Sequence, residues 1–374
     1  MKEKIKIGIV THYEVHNHGA QLQLFALLQI LRAKGHAVYA LRFEKDYRFM
    51  DSGAKNKYTI SIKSVPYYIK YAAEQGLRKT LFNIRKKRIF DSFRIRNEIL
   101  GEKHENFVGD LIIVGSDEVF SFETGVTDAF WGYGSVCKNV AAYSASFGPT
   151  TLNDVYEKGL NEYVTRALKN FASISARDSN SKEILETLGH GIVPLTCDPV
   201  ILYGYKEELA RCPKLNGEAD YILLYSYDRN MNSENEISMI RGASKCFGLP
   251  VYSVGFYHSW CDKNINANPI ELLWWFKNAR YIITDTFHGS VLSLITESDF
   301  ASFVRENANK LKNLLSEYGL ENRIFNTDTE LKSILKKQID YKTINKALEQ
   351  NRHKSTDYLE AVLGNAISKK EVTT

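Results

Sequence analysis

The sharpest chemistry-bearing segment of the chain is Thr284-Asp285-Thr286-Phe287-His288-Gly289-Ser290. A buried-strand pattern, Tyr281-Ile282-Ile283, runs into it, and an apolar helical pattern leaves it. His288 therefore falls at a helix N-terminus. The free N–H groups there disfavour the imidazolium form and suit proton transfer near neutral pH. Thr286, Gly289 and Ser290 are placed to meet a ligand beside it. A lone histidine is more often structural, so the pattern by itself tilts only modestly towards catalysis.

Three further strand-end loops carry candidate residues. Thr11 to Gly19 follows the apolar run Ile5–Val10 and precedes a helix, where Asn17 and Gly19 permit an anion to approach the N-terminus closely. The loop contains neither GxGxxG nor GxxxxGK[ST], so neither standard nucleotide signature is present, and a plain βα turn explains it equally well. His12, His16 and His18 alternate within it, but no second ligand cluster accompanies them and no metal site is expected. Ser116 and Asp117 follow Leu111-Ile112-Ile113-Val114 and are candidates for ligand contact. Local pattern favours Asp117 as a cap for the next helix instead. Arg177, in Ser175-Ala176-Arg177-Asp178-Ser179, has the fork geometry for a carboxylate or phosphate, against a surface ion pair with Asp178 or Glu183, which the local pattern favours. Tyr257, His258 and Trp260 form an aromatic loop group that could stack on a sugar, whereas Trp274 and Trp275 read as core.

The segment Arg78 to Arg96 carries basic residues at 78, 79, 85, 86, 87, 88, 94 and 96 against one acid, Asp91, with Leu81, Phe82, Ile84, Ile89, Phe90, Phe93 and Ile95 interleaved. Such a helix could lie on an anionic membrane surface or near a diphosphate-linked acceptor. The reading that it buries its apolar side in the protein and solvates its charges is favoured.

The elements that must position these residues alternate between strand-like and helix-like patterns in both halves of the 374-residue chain. That implies two Rossmann-like, doubly wound α/β domains facing across a cleft, with strand-end loops gathered there. The expected N-terminal domain is 1–205, with a basic helical insertion at about 50–106. The C-terminal domain spans 218–340, a helix and tail follow over 341–374, and the linker falls near 204–219. Expected helices include 153–171, 179–188 capped by Ser179, and 344–363. Hydrophobic residues make up 44% and charged residues 25%, which excludes wholesale disorder. A net charge of +5 does not call for nucleic acid. The 22 tyrosines, 19 phenylalanines and 4 tryptophans read mainly as packing. Five cysteines without CxxC spacing read as free thiols in a reducing cytoplasm. No secretory signal or run of about 18 apolar residues is seen, so a cytoplasmic location is expected.

The order of motifs resembles the polysaccharide pyruvyl transferase family. The matching segments are Asn17-His18-Gly19-Ala20-Gln21-Leu22-Gln23, Gly115-Ser116-Asp117-Glu118-Val119-Phe120, Tyr143-Ser144-Ala145-Ser146-Phe147-Gly148, Ile174-Ser175-Ala176-Arg177-Asp178, Asp198-Pro199, Thr284 to Gly289, and Leu320-Glu321-Asn322-Arg323. The resemblance implies a GT-B-like fold and transfer of a pyruvyl group from phosphoenolpyruvate to a sugar of a surface polysaccharide or its lipid-linked precursor. It implies His288 as general acid and base and Arg177 as an anion binder, and the scheme needs no cofactor. Thr286 departs from relatives that carry an arginine nearby, and Ala20 stands where many have an acid. Arg229, Arg305 or Arg323 would then supply the cation, or the donor differs. The alternatives are a GT-B-type glycosyltransferase using a nucleotide sugar and a non-catalytic glycan-binding member. Peripheral contact with the inner membrane surface through 78–96 completes the expected partners.

Overall fold

The computed structural model describes residues 3–46, 76–213, 220–305 and 309–373. Their contacts separate into two compact units. One draws on 1–60, 94–203 and 349–374, and the other on 61–93 and 204–348.

The first unit is built on six parallel strands: β1 (Lys6–Val10), β2 (Ala37–Arg42), β3 (Leu100–Lys103), β4 (Leu111–Val114), β5 (Val140–Ala145) and β6 (Phe171–Ala176). Their order is β3-β2-β1-β4-β5-β6, so the winding reverses between β1 and β4. Ile7 pairs with Val38 on one side and Leu111 on the other. Every residue of β4 and β5 is buried, as a parallel sheet covered on both faces requires.

The second unit repeats the plan with five parallel strands, β7 (Ile222–Tyr225), β8 (Val251–Val254), β9 (Lys263–Ile265), β10 (Tyr281–Thr284) and β11 (Phe300–Ser302), in the order β11-β10-β7-β8-β9. Here the reversal lies between β7 and β10. The α/β class and the doubly wound winding of each half are therefore as expected.

Several helices differ in detail from the sequence reading. After α1 (His18–Ala33) comes the basic helix α2 (Leu77–Arg96), whose residues up to Phe93 group with the second unit. Residues 50–75 of the expected insertion and 214–219 of the expected linker lie outside the described residues. The single helix expected over 153–171 is two, α3 (Leu152–Glu157) and α4 (Asn161–Leu168), parted by Gly159 in the left-handed region at φ 64°. Helix α5 (Ser179–Thr187) is capped by Asp178, whose carboxylate accepts the Ser181 N–H at 2.8 Å, and not by Ser179. Short helices α6 (Pro199–Tyr203) and α7 (Lys206–Ala210) follow. The second unit then contributes α8 (Glu234–Phe247), α9 (Pro269–Asn278), α10 (Phe287–Thr296), α11 (Asn309–Glu317) and α12 (Asp328–Leu335).

The last helix, α13 (Tyr341–Thr373), is longer than expected, and from Glu349 onward it belongs to the first unit. There Ser355 accepts the Cys197 N–H at 2.9 Å, Tyr358 donates to the Ala142 carbonyl at 2.8 Å, and Arg352 donates to the Ile201 carbonyl at 2.7 Å. No described helix is long and apolar enough to cross a membrane. The five cysteines are free.

Much of the aromatic content is core. Phe120 stacks on Trp131 at 4.5 Å and meets Phe147 and Phe171 at 5.5 and 5.9 Å. In the second unit Tyr221 stacks on Tyr252 at 4.8 Å. Phe120 is fully buried. Phe120→Ala should therefore cost about 3–5 kcal/mol of stability, read as a lower urea midpoint at unchanged slope. An unmoved midpoint would show that the cluster is not a packed core.

Candidate functional site

Polar groups concentrate at the strand-order reversal of each sheet, where the chain cannot cover the carboxyl ends of the strands. In the first unit, Asn17 caps α1 by accepting the Ala20 N–H, and Gly19 lies buried in the first turn. The loop before it is held from both sides. Gln21 donates to the Tyr13 and Val15 carbonyls at 2.8 and 3.2 Å, and Arg94 donates to the Tyr13 carbonyl at 3.0 Å. Thr11 donates to the Ser116 carbonyl at 2.8 Å, tying the loops after β1 and β4 together. The Ser116 hydroxyl is buried without a hydrogen-bond partner among the described residues.

Asp117 caps no helix. It bridges to Ala145 beside β5 and sits at φ 87°, and Ser144 sits at φ 49°. Non-glycine residues in that region are strained and persist only where the surroundings hold them. Gly115, at φ 107°, could not be replaced, because a Cβ there would lie 2.4 Å from the Tyr143 carbonyl oxygen.

Arg177 reaches this loop from β6. Its guanidinium is buried, 3.7 Å from Asp117 and 3.5 Å from Asp198, and Gln23 donates to the same Asp198 carboxylate. The guanidinium thus lies within reach of two carboxylates drawn from separate loops.

In the second unit, the Thr284 hydroxyl donates to the Tyr225 carbonyl at 2.7 Å and accepts the Thr286 N–H at 3.1 Å. Thr286 caps α10 by accepting the Gly289 N–H at 2.9 Å. Residue 289 must be glycine, since a Cβ would fall 2.0 Å from the Thr284 hydroxyl. Ser290 is buried and paired with Ser302 at 2.9 Å. Thr286, Gly289 and Ser290 are thus spent on building the turn, while His288 remains half-buried in its first turn beside the Phe287 ring.

Asp285 accepts from Asn230 at 2.7 Å and from Arg305 at 2.8 Å, and its Oδ1 is buried without a hydrogen-bond partner among the described residues. Arg305 also donates to Glu236 at 2.7 Å. Burial pushes the Glu236 carboxyl up, but the Ser233 hydrogen bonds and Arg305 outweigh it and hold the group below its usual range. The three arginines considered as donor cations are therefore not equivalent. Arg305 is paired twice. Arg323 is buried, donating to the Phe300 and Lys337 carbonyls at 2.7 and 2.8 Å, and Arg229 is exposed.

The aromatic loop group makes packing contacts, with Tyr257 and Trp260 half-buried. Tyr257 meets Phe82 edge-on at 5.6 Å. Trp260 donates to the Met231 carbonyl at 2.9 Å and lies against Arg241. His258 is buried between Ser253 and the Asn230 carbonyl, and burial lowers its pKa. Among the described residues no group of three or more His, Cys, Asp or Glu could hold a metal ion.

Asp228 carries no local sequence signal, and Lys79 and Lys86 stand in the sequence only as two of the basic residues of 78–96. Asp228 accepts the Tyr257 N–H at 3.0 Å and lies 3.6 Å from Lys79. A signal for Lys86 was available: it stands four residues from both Phe82 and Phe90, on what must be the apolar face of the helix.

Comparisons agree with this frame. The family model for polysaccharide pyruvyl transferase matches residues 17–307. Among solved structures, the chain is similar to UDP-GlcNAc 2-epimerase from Neisseria meningitidis bound to UDP-GlcNAc, with 11% identity over 97% of this chain and 100% of that one, at TM-score 0.51. It is also similar to a putative UDP-N-acetylglucosamine 2-epimerase from Listeria monocytogenes, with 10% identity over 96% of each chain, at TM-score 0.52. At such identity the likeness establishes a shared GT-B-like fold and nothing more. No curated protein matches at a significant level.

His12, packed on Phe130 at 4.8 Å, gives a pH prediction. Burial lowers its pKa from 6.5 to about 4, with Asp117 opposing. The folded ring stays neutral where the unfolded ring takes a proton. Its contribution is therefore complete above pH 6.5 and is lost as the pH falls towards 4, by up to about 3 kcal/mol. In urea titrations across that window, His12→Gln should flatten the decline. An unchanged slope would place the titration elsewhere.

Proposed function

The chain belongs to the polysaccharide pyruvyl transferase family and is a transferase, and from that membership we propose that it moves a pyruvyl group from phosphoenolpyruvate to a sugar of a surface polysaccharide or its lipid-linked precursor. The observation that carries the reading is His288, half-buried at the first turn of α10, where the neighbouring motif residues are consumed in building the turn.

In this reading the imidazolium of His288 gives a proton to the methylene carbon of the enol. An oxocarbenium-like centre develops at the adjacent carbon, and a sugar hydroxyl attacks it. Phosphate leaves, and a second hydroxyl of the same sugar closes the ketal. Of the two hydroxyl protons, one restores His288 and the other leaves with phosphate. The scheme calls for no cofactor. Within the first unit, Arg177 holds Asp117 in place, and Asn17 and Gly19 shape the loop that is tied to Ser116.

The enzyme is assigned to the inner face of the plasma membrane. Leu77, Leu81 and Ile84 are 75%, 54% and 46% exposed on one side of α2, flanked by exposed Arg78, Arg85 and Arg88 with no acid among them. An apolar stripe rimmed by cations is complementary to an anionic lipid surface.

Two measurements test these assignments. With phosphoenolpyruvate and a panel of glycosyl acceptors, the protein should release phosphate and add one pyruvyl unit to an acceptor. His288→Ala should slow this by about 10²–10⁴-fold while phosphoenolpyruvate still raises the melting temperature. No turnover across a broad panel, with stabilisation by a nucleoside diphosphate instead, would replace this reading by nucleotide-sugar transfer. An unaltered cellular polysaccharide in the His288→Ala strain would point to a non-catalytic member. In co-sedimentation, vesicles containing phosphatidylglycerol should bind the protein and phosphatidylcholine vesicles should not, and Arg85→Glu with Arg88→Glu should abolish binding. Equal binding to both vesicle types would remove the membrane assignment.

A further inference from the structure

Phe82, Lys86, Phe90 and Phe93 occupy one face of α2 and are 7%, 8%, 0% and 3% exposed. A lysine in that row is out of character, because a buried ammonium is costly unless it is paired. Lys86 is not paired. Its Nζ lies 4.2 Å over the Phe256 ring and 5.8 Å over the Phe90 ring, and no hydrogen bond or ion pair engages it among the described residues. Asp228, whose charge acts on Lys86, lies 3.6 Å from Lys79 and accepts the Tyr257 N–H.

The position is also telling. The Phe256 ring under Lys86 packs on Tyr225 at 5.2 Å, and the Tyr225 carbonyl anchors the Thr284 hydroxyl that sets the turn carrying His288. Of the arginines around that turn, Arg305 is paired twice, and Arg323 donates to two backbone carbonyls while its Nη2 is buried without a hydrogen-bond partner among the described residues. Burial pulls the Lys86 pKa down to about 8, so the amine is still mostly protonated near neutral pH.

We propose that Lys86 is the cation in the second unit that receives the phosphate group of the donor substrate. The assignment rests on the pyruvyl-transfer reading for the identity of that donor.

Thermal shifts of wild type, Lys86→Met and Lys86→Arg with inorganic phosphate, phosphoenolpyruvate and UDP test it. Lys86→Met should melt no lower than wild type, because an unpaired buried charge is gone. It should lose the phosphate and phosphoenolpyruvate responses and raise KM for phosphoenolpyruvate by about tenfold or more, while Lys86→Arg keeps part of each. A Lys86→Met protein with wild-type responses and KM overturns the assignment and leaves the donor reading standing. A wild type that answers to UDP through Lys86, and not to phosphoenolpyruvate, supports the cation and overturns the donor. A wild type that answers to none of the three overturns the assignment. Should Lys86→Met fail to fold, pyridoxal phosphate with borohydride on the wild type decides. Labelling of Lys86 that phosphoenolpyruvate suppresses supports the proposal, and labelling that it leaves unchanged counts against it.

Discussion

A parallel sheet wound outward in both directions from its first strand has one place where successive connections leave on opposite faces. At that place the chain does not cover the ends of the strands. Both sheets obey this constraint, at β1/β4 and at β7/β10. The strands that meet there are short and buried on both faces, so they have no room for polar chemistry. Carboxylates, hydroxyls and histidines are thereby confined to the loops that follow, and the rest of each unit serves to fix those loops.

The fixing is done differently in the two units. In the first, strain is held in place: Asp117 and Ser144 adopt left-handed backbone, and the Arg177–Asp198 contact with Gln23 behind it pins the loop from the far strand. In the second, a compact relay does the work. One threonine hydroxyl joins β7 to the turn after β10, and the missing side chain of Gly289 makes room for it. Rigid turns of this kind fix the backbone from which a half-buried histidine projects.

The legible parts of the fold were those with local causes. Short apolar runs announced β4 and β10, and Gly35, in left-handed backbone at φ 91°, stands just past α1 where a helix-ending glycine belongs. The edge strands β3 and β9, Leu-Gly-Glu-Lys and Lys-Asn-Ile, carry no such run, because a strand paired on one side need not be apolar. The candidate loops were likewise readable in position but not in allegiance. The partners of Arg177 lie 60 and 21 positions away in sequence, and only folding brings Asp117 and Asp198 to it. Lys86 was submerged in a run of like charges, although its spacing from Phe82 and Phe90 already set it apart from Arg85 and Arg88.

The placement of α13 has a consequence for how the molecule comes into being. The sheet of the first unit is fully synthesised by Ala176, yet the Cys197 N–H meets its partner on α13 only 158 positions later, and the Ala142 carbonyl waits for a hydroxyl 216 positions downstream. At ribosomal speeds the shorter interval lasts roughly 8–30 s. Throughout it the second unit can emerge and close on itself, while the first stands with an uncovered apolar flank. The half of the molecule that is begun first is therefore finished last, and its exposure during synthesis is set by the length of the other.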